Sequence, residues 1–272
     1  MGRETSKPEE GKGRFRMNRT RMTWHNGAEE LPESDWLFHA VPGVGNVGKL
    51  VVDSLVNKHD GKLIGRILHP DLPPHATLDS DGLLTPPCLE IHTVTLPSSQ
   101  SVVTLSSNFQ PLSPAGQYEV ASFLLQASKD AGIGRLLILA GLLAEPGSET
   151  VHVVCPSKED SEAMEKIGLE VSNEHPSAGI IGMTGLVSSL APTFGQAATC
   201  VIAETVGTSV DTVAADRMVA FLNDSFELNL GLELDNTKET AEKLRAFFDL
   251  DEIAELPPEY DKSEPDSQAF YA

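Results

Sequence analysis

The sequence predicts a three-layer α/β/α sandwich built on a mixed, mostly parallel sheet. Three observations carry that prediction. Short apolar runs alternate with segments of helical periodicity along most of the chain. Arg135–Ala140 holds almost no polar residue, as strands buried on both faces do. Leu89–Thr95 and Ser101–Ser106, split by a short proline- and serine-rich segment, read as an antiparallel hairpin, which makes the sheet mixed.

The elements follow in order. Residues 1–34 are polar, lack apolar periodicity and are expected to form a disordered basic arm. Asp35–Val41 is apolar and stops at Pro42-Gly43, a first buried strand. Val47, Leu50, Val51 and Leu55 then recur at helical spacing up to Lys58. Lys62–Leu68 is a second strand, and its helical connection predicts parallel pairing with the first. His69–His75 is a proline-stiffened loop. Pro114 suits the first turn of a helix that Gly132 and Gly134 end. Val151–Cys155 is a strand, and Ser157 caps a helix to about Ile167. Gly179, Gly182 and Gly185 punctuate an apolar segment that reads as a tightly packed helix. Ala198–Ala203 is the last core strand, Asp211 caps a helix to about Phe226, and an amphipathic helix spans Asn236–Phe248. The chain thus divides into the arm, one α/β domain over residues 35–250, and a flexible acidic tail over 251–272.

Charge narrows the function classes. The net charge is −20, yet residues 1–28 hold seven basic groups against three acidic ones, so the body is more acidic still. Such a surface repels phosphate backbones and argues against nucleic acid as a partner. No apolar run reaches 18 residues, so no membrane span is expected, and the N-terminus lacks the hydrophobic stretch of a signal peptide. Cys88, Cys155 and Cys200 form no CxxC pair and read as buried thiols of a reducing, cytoplasmic compartment.

Gly43-Val-Gly45-Asn-Val-Gly48-Lys49 matches both GxGxxG and a truncated phosphate loop. The acid that would bind a ribose is absent where the second strand ends in Leu68-His69-Pro70, and Leu50 stands where a magnesium-binding hydroxyl belongs. The glycines are therefore expected to serve a tight turn and a close helix–sheet approach. His69, Asp71 and His75 share one loop but read as a rigid turn rather than metal ligands. No GxSxG elbow or HExxH motif is present, and the expectation is a protein without catalytic residues, metal or cofactor.

Five segments taken together resemble the proteasome assembly chaperone 2 family, in its archaeal form. They are Pro42–Lys49 with Val52-Asp53, His69–Pro74, Asn108–Glu119, Gly182–Leu186 and Glu204–Asp211. The run after Leu139 departs from the family pattern, with Ala140-Gly141 in place of Gly-Gly. The resemblance implies a nucleoside-phosphorylase-like body without that enzyme's catalysis. It also implies self-association, as a tetramer or pentamer, and binding to the α-subunits of the proteasome core particle. Gly43, Gly45, Gly48 and Lys49, with Gln110 and Glu204, fall on family motifs and form a candidate vestigial ligand loop. Some family members carry an ATP-grasp label, so a nucleotide- or nucleoside-binding protein using this loop is the alternative. Several members end in hydrophobic-Tyr-X, and this sequence ends in Phe270-Tyr271-Ala272. The expected docking element is thus a terminal carboxylate paired with a lysine between α-subunits, with Phe270 adding roughly 1.5–3 kcal/mol of apolar burial.

Overall fold

The computed structural model describes residues 19–78, 82–172, 179–233 and 238–245. Ten strands and five labelled α-helices appear among them. They are β1 (Arg21–Trp24), β2 (Trp36–Ala40), α1 (Val47–Lys58), β3 (Lys62–Leu68), β4 (Thr77–Leu78), β5 (Leu84–Thr85), β6 (Leu89–Thr95) and β7 (Ser101–Ser107). There follow α2 (Pro114–Asp130), β8 (Arg135–Leu143), β9 (Val151–Val154), α3 (Lys158–Lys166), α4 (Gly182–Leu190), β10 (Ala197–Thr205) and α5 (Thr212–Phe226). Residues 238–245 are also helical.

Eight strands make one sheet in the order β1-β3-β6-β7-β2-β8-β10-β9. The central β7-β2-β8-β10 run is parallel, and antiparallel strands flank it on both sides. The sheet is therefore mixed and mostly parallel in strand direction. Alternate residues of each strand feed two cores. One face packs Phe38, Leu137 and Val201 against α1, α5 and Met164 of α3. The other packs Leu37, Leu105 and Ile138 against α2 and α4. This is the three-layer sandwich expected from the alternation of strands and helices.

Local chemistry explains several boundaries. Ser113 caps α2 by accepting from the Gly116 N–H at 3.1 Å, with Pro114 at the first helical position. Ser157 and Asp211 cap α3 and α5 the same way, through Asp160 and Ala214.

Two expectations are corrected. β3 does not pair with β2: it pairs antiparallel with β1 and β6, and the β6–β7 hairpin lies between it and β2. A hairpin inserted from later in the chain outcompetes the sequential neighbour because β7 offers β2 its parallel edge. The expected disorder also fails for the last part of the arm, since residues 21–24 form edge strand β1 on β3. Glu119 on α2 fixes its start, accepting from the N–H and Oγ1 of Thr20 at 3.2 and 3.3 Å. That anchor is long-range and leaves no local periodicity.

Candidate functional site

The glycine segment leaves β2 at the C-terminal end of the parallel strands, where α/β proteins place ligands. Pro42 and Gly43 end β2, and a short 3-10 turn over Val44–Asn46 leads into α1. Gly45 and Asn46 both adopt left-handed backbone, with φ of 63° and 46°. Polar contacts lock the turn from the β10–α5 side. The Gly45 carbonyl accepts from Asp211 N–H at 2.9 Å, and Asn46 Nδ2 donates to the Ser209 carbonyl at 2.8 Å. Gly48 lies against the backbone carbonyl of Leu139 on β8, where any side chain would collide. Gly141 meets the Val44 carbonyl in the same way, so the retained second glycine of the departed Gly-Gly position is the one that packing requires. Gln110 spans the mouth, donating to the Pro42 carbonyl at 2.6 Å and accepting from Met183 N–H at 3.2 Å. What space remains, bounded by Pro42, Gly43, Ile181 and Thr184, is about 30 Å³. Pockets for small molecules run to roughly 300–1,000 Å³, so the turn has room for a water molecule and not for a nucleotide.

Lys49 does not join that turn. It points sideways from α1 into an open cleft of about 420 Å³. The floor is the α1-facing side of β3, β6 and β7, and the helical segment 238–245 and the β4–β5 hairpin stand at its rim. Lys49 is only 2% exposed, and its Nζ donates to Asp53 Oδ2 at 2.7 Å and to Ser106 Oγ at 3.3 Å. Ser106 Oγ closes the triangle by donating to Asp53 Oδ1 at 2.6 Å. Beside it, Arg66 holds Glu90 through Nε and a terminal nitrogen, both at 2.9 Å from Oε1. Burial pushes the His92 imidazole below its usual pKa, toward the neutral form. Sequence reading missed Arg66, Glu90, His92 and Ser106. The signal was present as polar residues at every second position, Glu90 and His92 on β6 and Thr104 and Ser106 on β7, in strands whose other face is apolar.

Glu204 stands apart from both. It closes β10, and its carboxylate accepts from Ser148 Oγ, Thr150 N–H at 3.3 Å and contacts His152 Nε2 at 3.1 Å. The Ser148 hydroxyl above all, then His152 and Thr150, hold its pKa at about 2. Arg217 of α5 donates to the Ser148 and Glu204 carbonyls, tying the knot to the helix. The loop His69–His75 also serves structure. Asp71 accepts from the N–H and Oγ of Ser113 at 2.7 and 2.6 Å, placing a carboxylate at the α2 N-terminus. His69 Nδ1 accepts from Asp71 N–H, and His75 packs on Phe109. The candidate ligand set is thus divided among three places: Gly43, Gly45, Gly48 and Gln110 in the turn, Lys49 in the cleft, and Glu204 at the β9–β10 edge. Phe270, Tyr271 and Ala272 lie outside the described residues.

These features define an α/β/α sandwich protein whose glycine turn packs a helix onto the sheet. Comparison makes the assignment specific. The chain belongs to the PAC2 family, whose family model matches residues 37–249. An uncharacterized Methanocaldococcus jannaschii protein, MJ1210, is 27% identical over 220 residues, 80% of this chain and 83% of that protein. Among solved structures, Pyrococcus furiosus PbaB, described as an archaeal proteasome activator, aligns with a TM-score of 0.69 at 17% identity, covering 87% of this chain and all of that one. Pyrococcus furiosus PbaA, described as an archaeal homolog of proteasome-assembly chaperone, aligns with a TM-score of 0.67 at 23% identity, covering 86% and 99%. Among the described residues, no helix is long and apolar enough to cross a membrane.

Proposed function

We propose that this chain is a non-catalytic proteasome-binding factor, either an assembly chaperone or an ATP-independent activator, that engages the α-subunits of the core particle. The observation that carries the reading is family membership across residues 37–249, with solved relatives of that fold named for proteasome activation and assembly. The space of about 30 Å³ beside the glycine turn supports it, being far smaller than a nucleotide pocket. The docking element of this proposal is Phe270-Tyr271-Ala272, an aromatic pair that follows an acidic stretch. A single such plug binds weakly because ordering it offsets much of the gain, so the proposal includes a cytoplasmic homo-oligomer, a tetramer or pentamer, that presents several at once.

The experiment is capture of purified core particles by the full chain and by a chain lacking residues 270–272. Capture by the full chain alone is the expected result. Equal capture by both removes the tail from the proposal, and capture by neither removes the proteasome. Peptide hydrolysis by the core particle, with and without the full chain, then separates activator from assembly factor.

A further inference from the structure

The cleft beside α1 carries chemistry that the proposed tail docking does not use. It joins residues from α1, β3, β6, β7 and the 238–245 helix, and its polar groups converge on one space. The cations there already have carboxylates: Lys49 with Asp53, Arg66 with Glu90, and Lys243 with Glu239. A phosphate or carboxylate ligand entering the cleft would meet Asp53 and Glu90 at close range, so the arrangement disfavours an anion. What it offers instead is donors and acceptors side by side. Glu90 uses Oε1 for both bonds to Arg66, leaving Oε2 as an acceptor beside a guanidinium with donors to spare. Lys49 likewise has a third ammonium proton beyond those given to Asp53 and Ser106. A hydroxyl group donates and accepts at once, and two neighbouring hydroxyls match a carboxylate set against a cation. His92, whose burial favours the uncharged imidazole, adds a further polar group to the floor. Phe109 supplies one apolar wall for the C–H face of such a molecule. The volume of about 420 Å³ lies at the lower end of small-molecule sites.

We infer that this cleft binds a neutral polyhydroxylated molecule of monosaccharide size, held by Glu90, Arg66 and the Lys49–Asp53–Ser106 triangle. Saturation-transfer NMR on the full chain tests this with D-ribose, D-glucose and myo-inositol as probes and inorganic phosphate as the anionic control. The expected result is saturable transfer to at least one polyol, undisturbed by phosphate. Glu90→Ala lies on the open side of the cleft and is expected to weaken that binding by at least about tenfold, the loss of one charge-assisted hydrogen bond. Ser106→Ala is expected to weaken it as well. Circular dichroism establishes that each variant is folded, and a variant that is unfolded is replaced by Arg66→Gln. No saturable transfer from any of the three polyols overturns the inference. So does binding that both folded variants leave unchanged, or a cleft that takes phosphate in preference.

Discussion

The glycine turn and the polar cleft begin on the same short stretch of chain, yet they are opposites. From Gly43 to Gly48 every requirement is one of closeness: a carbonyl of β8 against Gly48, left-handed backbone at Gly45, and a residual space of about 30 Å³. One residue later, Lys49 turns into a polar cleft more than ten times larger. The contrast shows that glycines in a phosphate-loop pattern and the lysine that follows them need not share a purpose. Glycine spacing encodes how near two backbones come, whereas Lys49 and Asp53, four apart on a helix, encode which face of α1 is polar.

The comparison can be broken most severely at Gly48. Gly48→Val is expected to destabilise the fold by about 3 kcal/mol or more, because backbone carbonyl rather than a movable side chain occupies the space. Urea denaturation measures it, and a cost below about 0.5 kcal/mol would show that the close approach is not required. On the cleft side, Lys49→Met is expected to cost about 1–3 kcal/mol, leaving Asp53 and Ser106 without their shared donor. A loss in the double variant that departs from the sum of the two by more than about 0.5 kcal/mol would mean the two regions are coupled.

Glu204 offers a pH test that lies outside both regions. Its folded pKa of about 2 lies below the ordinary value of 4.5, so its contribution is complete above pH 4.5 and is lost as pH falls through 2. Glu204→Gln is expected to remove about 1–3 kcal/mol at pH 7 and to show a shallower fall in stability below pH 4.5. Parallel acid titrations of the two proteins would contradict this. The smallest effect is chemical. Burial pushes the Cys88 and Cys200 thiols up to about 12, so native-state labelling at pH 8 is expected to be slow at both. Cys88 at the cleft should still react before Cys200 within strand β10, a rate order that mass spectrometry of alkylated peptides reads directly.

What the sequence reveals follows from how local each cause is. Ser157, Asp211 and Pro114 mark helix starts because capping involves neighbours three residues apart. The β6–β7 hairpin is legible because its turn lies between its strands. β1 is not, since four residues with mixed exposure gain their place from β3 and from Glu119, 99 residues beyond Thr20. The partner of β3 is hidden for the same reason. The glycine turn was legible as a packing device, but the separation of Lys49 and Glu204 from it was not, because side-chain direction depends on strand register. Cleft residues from 49 to 244 meet only once the sheet order is set.

That order has a kinetic side. The four parallel strands at the middle, β7-β2-β8-β10, come from segments scattered between residues 36 and 205, and no two that lie side by side are consecutive strands in the chain. Every contact that seals the heart of the molecule must close a long loop first, whereas the β6–β7 hairpin and α2 can form from what lies next to them. Refolding from denaturant should therefore run through an early species with its hairpin and helix in place, and reach the native state slowly as the centre of the sheet is assembled last.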